Sequence, residues 1–403
     1  MRSTTRIRIG IIDTIDIDLS RWIFSDIADT AAACAFRRSC APIYSLQCQE
    51  RRRCALIHYR EKAMAEIRKL ALLGALLALG LASSEASAQG ADIQNRVLRL
   101  STANPSEHPQ TVGAQRFADL VKERSGGKIN VRVFHSGQLG SDYTAQTALQ
   151  SGTLDLMTGT TNSLMGIVPE MGAIDLPYVF QNFEEVDAIL GGPVGQMLFS
   201  KLPEKGLVPL GWMEQGFRVF HTTKKLIKTA GDFKGLKLRV QPTAVSVAVV
   251  NALGANAVPM PFQETYTALE QGAIDGMDNP LPNIVISKFY ELNKNISITN
   301  HMYQPVWIGI SKTTWNKLSD TEKKIIADAG REASAFQRKL ARDYTAKVVD
   351  QLKAQGCNVY EIPPAEVAAM KATQKDVIAK FSQSIEPAVT LLNQELAKYR
   401  GRK

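Results

Sequence analysis

The sequence predicts an α/β protein built from two similar lobes. Short alternating strands separated by helices recur along most of the chain, which argues for α/β layers with largely parallel sheets. One helix–strand unit occurs twice, about 120 residues apart. A helical stretch of about 35 residues near the C-terminal end is longer than an ordinary globular helix, so it is expected to brace more than one domain.

The first residues do not read as part of that fold. Positions 1–63 of the 403 hold the run Arg51-Arg52-Arg53 and four of the five cysteines, Cys34, Cys40, Cys48 and Cys54. The spacings match no zinc pattern, so the segment reads as an upstream extension rather than a metal or disulfide module. Met64 is a better start. Arg68 and Lys69, an apolar run from Leu70 to Ala82 and then Ala86-Ser87-Ala88 follow in the order of a secretory signal peptide over 64–88, cut before Gln89. The apolar run of about 13 residues is short of the roughly 20 that span a bilayer, and no cysteine lies at the cut to carry a lipid. The remaining length, about 315 residues, suits two domains. It keeps one cysteine, Cys357, so no internal disulfide is expected. The chain's net charge of +9 falls to about +5 without the first 88 residues. No basic run is interleaved with aromatics, which argues against nucleic acid.

The elements follow in order. "VLRLSTA" (97–103) is a strand, and Pro109 suits the first position of a helix that ends near "SGGK". "KINVRVF" (128–134) alternates as a second strand. "DYTAQTALQSG" is a helix ended by Gly152, followed by the strand "TLDLMTG". This unit, "YTAQTALQSGTLDLMTG", is echoed by "ETYTALEQGAIDGMDN" (264–279), where Gly272 ends the helix and Asp275 matches Asp155. Each copy runs into a polar turn at a strand C-terminal end, where ligands of open α/β sheets bind. "GLKLRV" (235–240) alternates Leu236, Leu238 and Val240 against Lys237 and Arg239, so Arg239 is either a solvated strand cation or a fixed charge in a site. The long helix begins at Ser319-Asp320 and runs toward Gln355, with Gly330 as its weak point. Amphipathic helical sequence from Pro364 closes the chain.

Enzyme signatures are mostly missing: the sequence holds no GxGxxG, Walker lysine loop, HExxH or GxSxG. His108, His135, His221 and His301 are scattered without metal-ligand spacing. Asp275 and Asp278 read as a strand end and turn, not a catalytic or calcium pair. What remains is two arginines and an amide near strand ends: Arg218 in "EQGFRVFHTTKK", Arg239, and Asn279 before "PLPN". The guanidinium fork matches a carboxylate with two parallel hydrogen bonds. Two such groups and an amide make a rational clamp for a small organic acid.

At these residues the chain resembles a known family. "GFRVFHTTKKLIKTAGDFKGLKLRVQ", "PMPFQETYTALEQGAIDGMDNPL" and "SKFYELNKNISITNH", with "SGQLG", "SGTLDLM" and "VPEMGAIDLPYVF", look like the DctP-type periplasmic solute-binding proteins of tripartite ATP-independent periplasmic (TRAP) transporters. The resemblance covers residues 96 to 400. It implies a two-lobed clamshell with mixed sheets, a hinge and a long helix across both lobes. Lobe I is then expected over 89–215 plus 304–345, and lobe II over 216–303 plus 346–403. It implies a monomeric periplasmic receptor, not an enzyme, with no cofactor, that takes a small organic acid to the membrane subunits of a TRAP transporter. The family's carboxylate-pairing arginine falls on Arg239, a second ligand-contacting arginine on Arg218, the strand-end amide on Asn279 and a ligand-packing aromatic on Phe262. In the first lobe, Asn104, His108, Thr160 and Asn162 are candidates. The chain lacks the acidic residue near Thr160 and the amide near Ala103 carried by relatives that bind large sugar acids, which disfavours a sialic-acid-like ligand. Tyr303, Gln304 and Trp307, where the chain crosses back, either line the cleft or pack the hinge. A hexuronate-type sugar acid or a C4-dicarboxylate is the expected ligand. A sensor subunit for a kinase and an enzyme acting on organic acids are the rival readings.

Overall fold

The computed structural model describes residues 92–402 together with Met64; the extension 1–63 and the rest of the expected signal peptide lie outside the described residues. β1 (Arg96–Ser101) leads to α1 (Pro109–Arg124), β2 (Ile129–Phe134), α2 (Asp142–Ser151) and β3 (Leu156–Thr160). Tight 3-10 turns and two short helices, α3 (Phe183–Leu190) and α4 (Pro193–Ser200), precede the long strand β4 (Leu207–Thr222). Then come β5 (Lys237–Val240), α5 (Ala244–Ala252), β6 (Asn256–Pro259), α6 (Thr265–Glu270), β7 (Gly276–Pro280) and α7 (Leu281–Ile286). A second long strand, β8 (Asn295–Ser311), runs on to α8 (Asp320–Ala354), β9 (Asn358–Glu361) and three last helices, α9 (Pro364–Thr373), α10 (Lys375–Ser384) and α11 (Glu386–Arg400).

Local chemistry sets these bounds. Pro109 occupies the first turn of α1, where its missing N–H costs nothing. Ser141 caps α2, and Gly152 ends it in the left-handed region at φ +80°. Ser319 and Glu322 form a reciprocal capping box at the start of α8.

The strands form one mixed sheet in the order β2-β1-β3-β8-β4-β7-β5-β6, with β9 beside β8. The expectation of largely parallel strands holds in the two wings, β2-β1-β3 and β7-β5-β6, but not between them. There β3, β8, β4 and β7 pair antiparallel. The reason is that β4 and β8 are long strands shared by both wings: β3 pairs with Val306–Ile310 of β8, whereas β7 pairs with Arg218–Thr222 of β4. Their common ladder shifts register between Glu214 and Gly216, and Gly216 takes φ +106°, which a side chain would resist.

Both faces of each wing are covered. In the first wing Leu100, Phe117, Ile129 and Ile308 pack with Ile326 and Ala333 of α8. Val348 and Leu352, farther along the same helix, pack in the second wing with Met277, Ile284 and Phe289. Helix α8 therefore ties the two wings, and its buried positions recur every three or four residues along one stripe. Gly330 proves to be a contact rather than a weak point: a Cβ there would stand 2.6 Å from Leu210 Cβ, and one on Gly211 would meet Ser334. The last helix of the segment 346–403 packs on α3 and α4. Leu392 and Leu396 of α11 share a core with Ile189 of α3 and Leu198 of α4, and Arg400 Nε lies 2.8 Å from Glu185 Oε1.

Candidate functional site

The site forms where the C-terminal ends of β5, β6 and β7 meet the loops at the ends of β1 and β3. Lys237 and Arg239 share one face of β5, yet Lys237 is exposed and Arg239 is 2% exposed. Nε and Nη2 of Arg239 donate to the Met260 carbonyl at 3.0 and 2.8 Å. Each spends one N–H there, so a parallel N–H pair on Nη1 and Nη2 remains. Burial, reinforced by Arg218, pulls the Arg239 guanidinium down to about 10, still charged at neutral pH.

Arg218 is held differently. Its Nε donates to Asp278 Oδ2 at 2.5 Å, its Nη2 to the Asp278 carbonyl at 2.6 Å and its Nη1 to Gln304 Oε1 at 2.8 Å. Burial alone would raise the Asp278 carboxyl, but the Arg218 guanidinium outweighs it and holds Asp278 far below the usual range. His301 Nε2 lies 3.2 Å from the same Asp278 oxygen, and burial keeps that imidazole below its ordinary pKa. Gln304 Nε2 in turn donates to Asn162 Oδ1 at 2.8 Å. A continuous polar chain thus runs from His301 through Asp278, Arg218 and Gln304 to Asn162.

From the second wing, Arg218, Arg239, Phe262, Asn279 and Asn283 line a cleft of about 40 Å³. The first wing faces them with Asn104, Asp142, Tyr143 and Thr160. Asp142 Oδ2 accepts from the backbone N and the Oγ1 of Thr160 at 2.9 and 3.2 Å, while Oδ1 has no partner. Burial raises the Asp142 carboxyl and pushes the Tyr143 phenol well above its ordinary range. Tyr143 and Pro242 are also walls of a larger cavity of about 530 Å³, which continues past Asn162 and Val245 to Phe381 and Ile385. The larger space contains no arginine, so the chemistry is assigned to the smaller one. Among the described residues no cluster of three or more His, Cys, Asp or Glu could hold a metal ion.

Residues 100–384 match the family described as bacterial extracellular solute-binding protein, family 7 (DctP). The chain belongs to the DctP family. It is 32% identical over 285 residues to the 2,3-diketo-L-gulonate-binding periplasmic protein YiaO of Escherichia coli K12, a match covering 71% of this chain and 86% of that one. It is 30% identical over 291 residues to the C4-dicarboxylate-binding periplasmic protein DctP of Rhodobacter capsulatus, covering 72% and 87%. Among solved structures, the sugar acid binding protein DctPAm of Advenella mimigardefordensis, in complex with galactonate, matches with a TM-score of 0.75 and 34% identity over 76% of this chain and 99% of that one. The α/β fold with a mixed sheet is that of the TRAP solute-binding proteins.

Within this DctP-family chain the structure gathers Arg218, Arg239, Phe262, Asn279, Asn104 and Thr160 around the cleft. Phe262 also meets Phe289 edge to face, with centroids 5.6 Å apart. His108 sits one layer behind: its Nδ1 caps α1 by accepting from Gln110 N, and its Nε2 lies 3.1 Å from Asn283 Oδ1. Burial lowers it to about 4, so the ring is neutral. Asn162 lines the larger cavity and not the arginine cleft. Of the two readings given for Trp307, the structure favours packing. Trp307 is fully buried in the first-wing core, where a Cβ on Gly309 would come within 2.1 Å of its ring, so it packs and does not line the cleft. Tyr303 packs at the crossing, donating to Glu214 Oε2 at 2.7 Å, whereas Gln304 reaches the site through Arg218.

Asp142, Tyr143, Asp278 and Asn283 were not legible as site residues. Asp142 opens a helix, where an acid is ordinary for the macrodipole. Asp278 pairs with an arginine 60 positions away, a contact no local pattern encodes. The second copy of the echo was the available signal, because β3 and β7 both end at this cleft with Thr160 and Asn279.

Proposed function

We propose that this DctP-family protein is a periplasmic receptor that captures a small organic acid, its carboxylate held by Arg239, and delivers it to the membrane subunits of a TRAP transporter. The observation that carries the reading is Arg239 itself. It is a buried guanidinium facing a cleft between two wings, with a backbone carbonyl as its hydrogen-bond partner and a parallel N–H pair left over. A carboxylate fits that pair with charge-assisted hydrogen bonds, and Asn279 and Thr160 offer polar partners from opposite walls. Of the two ligand classes weighed, the sugar acids are favoured, since relatives on both sequence and structure are named for a diketogulonate and a galactonate.

The arginine cleft of about 40 Å³ shares Tyr143 and Pro242 with the larger cavity of about 530 Å³. A six-carbon acid anchored at Arg239 extends from the first space toward the second, and a parting of the wings would admit it. The register shift between Glu214 and Gly216 in β4, with the crossing near Tyr303 in β8, is the proposed hinge between lobe I and lobe II. Closure excludes water from Arg239 and strengthens its pair with the ligand, while presenting a reshaped surface to the membrane partner. A ligand shifts that equilibrium only by its preference for the closed form. Export from Met64 through the signal peptide over 64–88 completes the reading.

The test is calorimetric titration with sugar acids, starting from galactonate. Arg239→Ala is expected to weaken binding at least about a hundredfold, and Arg239→Lys at least about tenfold, since a point charge does not reproduce the fork. Wild-type affinity in a folded Arg239→Ala protein would remove Arg239 from the site.

A further inference from the structure

We infer that the cleft is built for a monocarboxylate with a neutral body: Asp278 consumes the charge of Arg218 and leaves Arg239 as the one uncompensated cation facing the ligand. The inference rests on the reading of Arg239 as the carboxylate anchor and narrows it to one ligand charge. Arg218 looks like a second anchor by position, but its Nε and Nη2 both bind Asp278, at 2.5 and 2.6 Å, and the two side chains are 3% and 7% exposed. An ion pair that close and that dry carries no net charge to offer a second carboxylate. Its remaining neighbours, Gln304 and a neutral His301, bring no further charge.

The first wing brings no cation to replace it. Its cleft-lining residues include Ala103, Asn104, Ser141, Asp142, Tyr143 and Thr160, of which Asp142 carries the one carboxyl group. Asp142 Oδ1 is buried without a partner, so it suits a ligand hydroxyl and offers a second carboxylate no counter-charge. The larger cavity beyond Tyr143 and Pro242, about 530 Å³, has no charged side chain among its lining residues. Asn162 Nδ2, buried and unpartnered, and the hydroxyls of Ser163 and Thr243 suit a polyol or other neutral polar body there. A second carboxylate would be desolvated in either space with no counter-charge to meet it.

The experiment compares acids that differ only in the far end: 4-hydroxybutyrate with succinate, erythronate with tartrate, and galactonate with galactarate. Titration of the purified mature protein at pH 7.5 is expected to favour the monoacid of each binding pair by about tenfold or more. A diacid that binds as tightly as its monoacid, or more tightly, overturns the inference. Arg239→Ala separates the two layers. A diacid lost with Arg239 sinks this inference alone, whereas an acid that binds without Arg239, or a panel in which nothing binds, sinks the anchor as well. Asp278→Asn frees Arg218 and is expected to narrow the monoacid preference at least about threefold. An unchanged preference in the folded variant would remove Asp278 from the charge balance, and if that variant does not fold the wild-type pairs still decide.

Discussion

Glu214 shows how much of this protein is decided by single buried charges. It is fully buried, with Arg342 Nε 2.7 Å from Oε1, Arg342 Nη2 2.9 Å from Oε2 and the Tyr303 hydroxyl 2.7 Å from Oε2. Gln337 closes the same spot by bonding both the N and the O of the Glu214 backbone, which the irregular ladder leaves free. Removing one partner of a buried pair costs about 3–5 kcal/mol. Arg342 is part-exposed and keeps Asp187, so Glu214→Gln is expected to cost about 2 kcal/mol or somewhat more, read as a lowered urea midpoint. An unchanged midpoint would mean that this network does not hold the strand crossing together. None of it was visible in sequence, because Glu214, Tyr303 and Arg342 are drawn from two strands and a helix. Arg239 differs. Alternation put it on one face with Lys237, and the resemblance gives it the role proposed above, but that shared face turns from wet to dry within two residues, and only the packed wings decide where.

Secondary elements were more legible than contacts between them. Pro109, the Gly152 stop, the Ser319 start and the full length of α8 follow from capping and helix chemistry, which acts over a single turn. Strand direction did not follow in the centre of the sheet, since β4 and β8 read locally like any other strands and their shared, antiparallel pairing is a long-range fact. Gly330 is the instructive position. In a solvent-facing helix, Gly→Ala is worth about 1 kcal/mol of stabilisation. Here the new Cβ would press on Leu210 Cβ at 2.6 Å and on the Leu210 carbonyl at 3.0 Å, neither of which can rotate away. Gly330→Ala is therefore expected to destabilise by about 1–3 kcal/mol and to lower the melting temperature. A raised melting temperature would show that α8 can ride away from β4 at no cost.

At the scale of the whole molecule, buried titratable groups make stability depend on pH. Burial lowers His221 to about 3, against about 6.5 in an unfolded chain. Between those values the unfolded state holds the extra proton, so stability from this group is full above about pH 6.5 and is lost as pH falls, by about 1.4 kcal/mol per unit. Asp175, raised to about 7 by burial, acts with the opposite sign from about pH 7 down to about 4. The His221 contribution is isolated by comparison with His221→Gln, whose amide oxygen can still accept from Asn293. The stability gap between wild type and variant is expected to shrink steadily from pH 6.5 to 4 in denaturant titrations, and a constant gap would show that His221 is not held neutral.

The two wings are not jaws on a pin. β4 and β8 pass through both of them and α8 is packed into the core of each, so no part of the path between the wings is slack. An opening of the cleft about the proposed hinge at Gly216 therefore also has to twist two paired strands and flex one helix. On the proposed function, the acid would act against or along a resistance that the shared strands and helix already set.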